Sequence, residues 1–193
     1  MTKANQLSAS RRAPDRTRLW LLLGLAATAT GGCGRAGSTE GGAAAPVAAA
    51  PAPKTVADYF TVAVGGRTVR LQLAVTTPEM ERGLMERTKL GPDDGMLFVY
   101  PRAQSMSFWM HDTPTPLDLG FFGPDGTLRE VYPLYPFDER TVSSRSAALQ
   151  FALEMNQGWF SAHGVRPGAA LDLAAVRAAL AARGFVPAQF GLR

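Results

Sequence analysis

The residues best suited to chemistry gather around one short stretch, Trp109-Met110-His111-Asp112-Thr113-Pro114-Thr115-Pro116-Leu117-Asp118. It offers an indole, an imidazole and two carboxylates. Pro114 and Pro116 each fix a backbone φ and stiffen the segment, so the loop is expected to hold His111, Asp112 and Asp118 in a set arrangement. Further along, Glu154 sits inside Phe151-Ala152-Leu153-Glu154-Met155. A carboxylate among apolar neighbours is costly to bury unless it is paired or hydrogen-bonded. Two functional roles suit Asp118 and Glu154. They orient a ligand beside the apolar wall of Trp109, or they form the acid–base pair of a hydrolase acting on envelope material. A structural role stands beside both: Asp112 and Asp118 capping backbone N–H groups, His111 facing solvent, and Glu154 accepting bonds inside the fold. The ligand-binding candidates are therefore Trp109, His111, Asp112, Asp118 and Glu154.

Other chemistries find less footing. His111 and His163 are the two histidines, and neither forms a paired metal motif, so no metal and no cofactor are expected. Met80, Met85, Met96, Met106, Met110 and Met155 carry thioethers of the kind that favour Cu(I). Their scattered spacing fits core filling better. No GxSxG elbow, Walker loop, dinucleotide fingerprint or HExxH occurs.

The elements that must position these residues follow a leader. Residues 1–18 carry Lys3, Arg11, Arg12, Arg16 and Arg18, the run from Leu19 to Ala27 is apolar, and small residues continue to Cys33. That order marks a secretory signal, and the run is short for a span of ~20 residues. Residues 1–33 are read as an export signal, with an uncleaved signal anchor as the alternative. Cys33, the single cysteine, resembles the lipid-attachment cysteine of bacterial lipoprotein signals, although Thr30 stands where an aliphatic is usual. Ordinary cleavage near Ala27-Thr28-Ala29 is the competing outcome. The expected location is the periplasm or cell envelope, with membrane attachment through the N-terminus if Cys33 is lipidated. A lone cysteine in the leader leaves the folded part without an internal disulfide or a thiol nucleophile. The leader also accounts for the charge. The chain is formally +4, but from Cys33 onward Lys plus Arg and Asp plus Glu number 15 each. A domain that nets zero gives no reason to expect nucleic acid.

Residues 34–57 are dominated by Gly, Ala, Pro, Ser and Thr and read as a flexible tether. Residues 58–193 are expected to form a single β-rich domain. Tyr59–Val64 and Thr68–Val75 alternate around Gly65-Gly66, a hairpin pattern. Thr77, Pro78 and Glu79 open a helix, with Thr77 as its cap. Met96–Tyr100 is continuous enough for a central strand. Ser105–Met110 alternates, Leu117–Phe122 and Thr127–Leu134 flank a Gly-Pro-Asp-Gly turn, and 135–148 reads as a surface loop. Leu149–Met155 and a short Ala170–Leu173 complete the strands. Helical turns are expected within Asn156–His163 and a helix over Ala174–Arg183, with Phe185, Phe190 and Leu192 tacking down the tail. Many short strands between such turns make a small barrel or a sandwich.

Three blocks, GLMERTKLGPDDGMLFVYP, SFWMHDTPTPLDLGFFGPDG and FALEMNQGWFSAHGVRPG, resemble the signature of the bacterial and archaeal family known as domain of unknown function number 192. The resemblance runs from about Phe60 to Leu173 and includes Gly83, Gly95, Trp109, Asp118, Glu154, Asn156 and Gly158. It implies a compact β-barrel-like domain with short peripheral helices, and it agrees with export. It implies no catalytic residues. Lysine is common in that family where this chain has His111. Function is then expected to be a nonenzymatic binding module for a small molecule, glycan or peptide, with the paired-carboxylate hydrolase as the alternative.

Overall fold

The computed structural model describes residues 52–193; residues 1–33, read as an export signal, with Cys33, and most of residues 34–57, read as a tether, lie outside the described residues. The chain runs β1 (Phe60–Val64), β2 (Arg67–Ala74), α1 (Thr77–Arg82), β3 (Asp94–Gln104), β4 (Ser107–Phe108), β5 (Leu117–Phe122), β6 (Leu128–Leu134), β7 (Val142–Ser143), β8 (Leu149–Asn156), α2 (Trp159–Ala162), α3 (Leu173–Ala182) and a closing 3-10 turn, Pro187–Phe190. The fold is mainly β, as expected. Six strands form one mixed sheet in the order β1-β2-β3-β8-β5-β6, and β4 pairs with β7 apart from it.

Gly65 and Gly66 turn β1 into β2 with φ of 57° and 79°, left-handed values that favour glycine. β2 and β3 are parallel, so the chain must cross over between them, and α1 is that crossover. Thr76 caps α1, one residue before the expected Thr77, and the Glu79 side chain reaches back to the Val75 and Thr76 N–H groups at 2.9 and 3.0 Å. This capping box satisfies donors that a helix start leaves open. Arg183, at the end of α3, binds the Glu79 carboxylate and the Leu73 carbonyl, which ties the crossover to the C-terminal helix.

The barrel-like character comes from one short segment. On one side, Gly65 N–H donates to Ala170 O at 2.8 Å and Asp172 N–H to Ala63 O at 2.9 Å. On the other, Leu128 N–H donates to Ala169 O and Leu171 N–H to Gly126 O, both at 2.8 Å. Residues 169–172 thus stitch the two edges of the sheet together at one end. Among the described residues no ladder joins β6 to β1 directly, so the sheet is curled and partly closed rather than a complete barrel.

Both faces of the sheet are buried. One carries Leu71, Leu73, Leu97, Leu153 and Met155 against Phe160 of α2, Val176 and Leu180 of α3, and Phe190. The other carries Met96, Phe98, Ala152, Leu119 and Phe121 under Met106, Phe108 and Met110. Each such side chain removed from water contributes about 1.5–3 kcal/mol. Burial on both sides explains why β5, Leu-Asp-Leu-Gly-Phe-Phe, is buried at every position although it contains an aspartate. The 105–110 segment keeps its predicted alternation in burial, but only Ser107–Phe108 is ladder-paired. Its partner β7 lies inside 135–148, which the sequence presents as loop. The start of the domain also shifts. Lys54 N–H bonds the Ala182 carbonyl at 3.0 Å and Val56 packs on the second core, so residues 54–57, read as tether, belong to the folded part.

Candidate functional site

Glu154 lies in β8 opposite Met96 of β3 and Leu119 of β5. Strand alternation sends it to the same face as those two, toward the second core. It is 5% exposed, and its Oε2 has no protein hydrogen-bond partner among the described residues. Burial pushes the carboxyl up to about 8. At neutral pH it is therefore an uncharged acid with one O–H to donate and a carbonyl to accept.

Above it opens a cleft of about 490 Å³. α1 and the residues after it form one wall with Met80, Gly83, Leu84 and Met85, and β3 supplies Phe98 and Tyr100. β4 adds Phe108, and Trp109 stands at the same opening with 48% of its surface exposed. The phenol of Tyr100 is held above its ordinary value by burial and then by the Glu154 charge. A size of several hundred cubic ångströms with apolar walls and few polar groups is typical of small-molecule sites.

The two-proline loop forms the lip. Glu86 N–H donates to Asp112 O at 2.7 Å, and Thr115 Oγ donates to the Arg87 carbonyl. Both bonds tie the loop to the stretch after α1. Thr113, buried and facing the cleft, donates its hydroxyl to His111 O at 3.0 Å. The His111 ring stacks on Trp109 with centroids 4.8 Å apart and planes 18° apart. His111 Nδ1 lies 2.8 Å from Glu139 Oε1, and Nε2 lies 3.3 Å from Asp112 Oδ2. The bond to Glu139 raises the imidazole above its ordinary value, and the charges of Asp112 and Glu139 add to it. His111 and Asp112 thus brace the exposed indole from outside, and Trp109 and Glu154 share the cleft.

Asp118 is elsewhere. In β5 it sits opposite Met155, one position out of phase with Glu154, and points to the other face of the sheet. Its Oδ2 accepts Gly158 N–H at 2.9 Å. Burial raises its carboxyl, and the Gly158 and Phe160 N–H groups oppose that shift. Asp118 serves the start of α2, the capping role the sequence also allowed. An acid–base pair of Asp118 and Glu154 has no shared space.

The sequence reading missed Tyr100, Phe98 and the α1 wall as parts of a site. The available signal was the parallel crossover, which places α1 over the sheet face beside β3. What was hidden was that β8 inserts between β3 and β5.

These features describe a mainly β domain with an acid at the floor of an apolar cleft. The chain matches the family DUF192, described as uncharacterized ACR, over residues 60–173, and it belongs to that family. The matched span contains every cleft residue named above. Two solved structures are similar to it. One, from Sinorhizobium meliloti 1021 and described as a candidate transcription regulator, is 35% identical over 59% of this chain and 92% of its own, with a TM-score of 0.56. The other, a protein of unknown function from Novosphingobium aromaticivorans DSM 12444, is 33% identical over 65% of this chain and 94% of its own, with a TM-score of 0.58. No curated protein matches the chain.

Proposed function

We propose that the chain is an exported, nonenzymatic binding module whose ligand, a small molecule or an apolar peptide side chain, seats in the cleft above Glu154. One observation carries this reading: a carboxyl with an unpartnered oxygen at the floor of an open apolar cleft. Carboxylates with structural duties here have protein donors, as Glu79 and Asp118 do. An apolar side chain would fill the Glu154 position at lower cost. Of the three ligand classes open from sequence, a glycan suits the walls least, because Met80, Leu84, Phe98 and Phe108 offer nothing to its hydroxyls. Carboxyls on opposite sheet faces give the hydrolase alternative no support. A regulator of the kind named for the Sinorhizobium protein would need a basic face, and the chain from Cys33 onward has 15 charges of each sign.

The test is native mass spectrometry of the chain purified from the envelope fraction. An organic molecule should copurify and be lost from a Met80→Trp variant, checked for an unchanged fold by its NMR spectrum, which adds bulk to the α1 wall of the cleft. Equal recovery from both proteins would refute the assignment.

A further inference from the structure

We propose that the cleft recognises an organic cation, an ammonium group that places its charge against the Glu154 carboxylate and its carbon surface against Phe98, Tyr100, Phe108 and Trp109. This rests on the cleft being a ligand site, as argued above, and adds the chemistry of the ligand. Three observations point the same way. First, the floor carries an acid whose Oε2 lacks a protein donor among the described residues. Second, four aromatic residues line the cleft over it, and aromatic rings attract cations when water is excluded. Third, among the described residues the cleft lining offers that acid no unpaired cation. Its other charged lining residues are Glu81 and Arg82, both from α1, and the Arg82 guanidinium is taken by Glu86 at 2.7 Å. A neutral ligand would hydrogen-bond the protonated acid but give the four rings no charge to face, and an anionic one would meet their negative faces with the wrong sign.

Ionic recognition at this acid must couple to a proton. Burial keeps Glu154 protonated to about 8, whereas an alkylammonium keeps its charge up to about pH 10. Binding below about pH 8 therefore expels the Glu154 proton to solvent as the ion pair forms. The other titratable groups facing the cleft are Tyr100 from β3, which stays protonated in this range, and Glu81 and Arg82 from α1. At the rim, His111 stacks behind Trp109 with Asp112 and Glu139. Asp118 of β5 points to the opposite face.

Phenethylammonium, phenethyl alcohol and hydrocinnamate share an aromatic ring and differ in the charge of the head group. Each is titrated into the purified chain and followed by amide and methyl NMR shifts. At about pH 8 phenethylammonium should bind at least ~10-fold tighter than the other two, and its affinity should fall by ~10-fold per pH unit below that. Calorimetry at about pH 7, in buffers of different ionisation enthalpy, should then report about one proton released per ligand bound. Glu154→Gln, checked for an unchanged fold by its NMR spectrum, should lose the preference and the proton release, whereas Asp125→Asn, in the turn between β5 and β6 and outside the cleft lining, should keep both. Equal binding of the alcohol in the cleft would overturn the cation assignment and leave the binding-module reading intact. Tightest binding of hydrocinnamate would do the same. If none of the three shifts any cleft resonance, the cation assignment falls, and the copurification test decides the binding-module reading separately.

Discussion

Glu154 keeps its proton at neutral pH because the sheet buries it, and its Oε2 has no donor among the described residues. The consequence for stability has a definite sign. Below 4.5, its ordinary value, the carboxyl is protonated in both folded and unfolded chains. Between 4.5 and about 8 only the unfolded chain loses the proton, so stability falls as pH rises. Above about 8 the loss is complete, on the order of a few kcal/mol. Replacing Glu154 with leucine removes this dependence. Urea unfolding of Glu154→Leu at mildly alkaline pH should show a gain of roughly 1–4 kcal/mol over wild type, shrinking toward zero in mild acid. An identical gain at every pH would mean that the carboxyl ionises freely in the fold. A residue that lowers stability yet lines a cleft fits a ligand role better than a packing one.

At the scale of elements, α1 decides whether the cleft exists, and Glu79 decides whether α1 is held. Its carboxylate accepts the Val75 and Thr76 N–H groups and faces a nearly buried Arg183. Burial alone would raise this carboxyl; the Arg183 and backbone bonds together hold it near 2. Its stabilisation is present above 4.5 and lost as pH falls through about 2. Glu79→Gln should cost about 3–5 kcal/mol in urea unfolding, since Arg183 would stay buried without its counter-charge. Hydrogen exchange should show α1 opening before the sheet, and undiminished protection of α1 would refute this role. A second element-scale prediction concerns Gly95 in β3, where a Cβ would meet the Glu154 carbonyl oxygen at 2.5 Å. Gly95→Ala should destabilise by about 1–3 kcal/mol, measured by thermal melting, and displace the strand that carries Glu154.

Much of this architecture was legible in the chain. The largely apolar run ahead of the Gly123-Pro124-Asp125-Gly126 turn fixed Leu117–Phe122 to the residue, and the alternation of Met106, Phe108 and Met110 against Trp109 foretold which side chain would stay at the surface. Local capping chemistry foretold α1 within one residue. The misses are non-local. β7 is two residues long and owes its strand form to β4, so no periodicity could announce it. Asp118 and Glu154 look alike in sequence, each a carboxylate in an apolar strand. Only the register between β5 and β8 reveals that they face apart.

At the scale of the whole molecule, the domain carries its own support. Two cores cover both sheet faces, and the tail is pinned where Gln150 Nε2 donates to the Phe190 and Tyr100 carbonyls at 2.7 and 3.0 Å. On the proposed export, residues 1–33 direct the chain across the membrane and the stretch before Lys54 spaces the domain from its point of attachment. If Cys33 is the lipidated residue, Cys33→Ala should move the protein from the membrane fraction to the soluble envelope fraction. Its urea midpoint should not change, because an anchor of this kind acts on attachment and the lone cysteine supplies no disulfide. Intact-mass spectrometry of the mature N-terminus separates the outcomes. A diacylated start at Cys33 supports the anchor, and a start near Ala29 supports plain secretion of the same binding domain. A chain still beginning at Met1 and held in the cytoplasm would remove export from the proposal, while leaving the acid-floored cleft to be tested on its own.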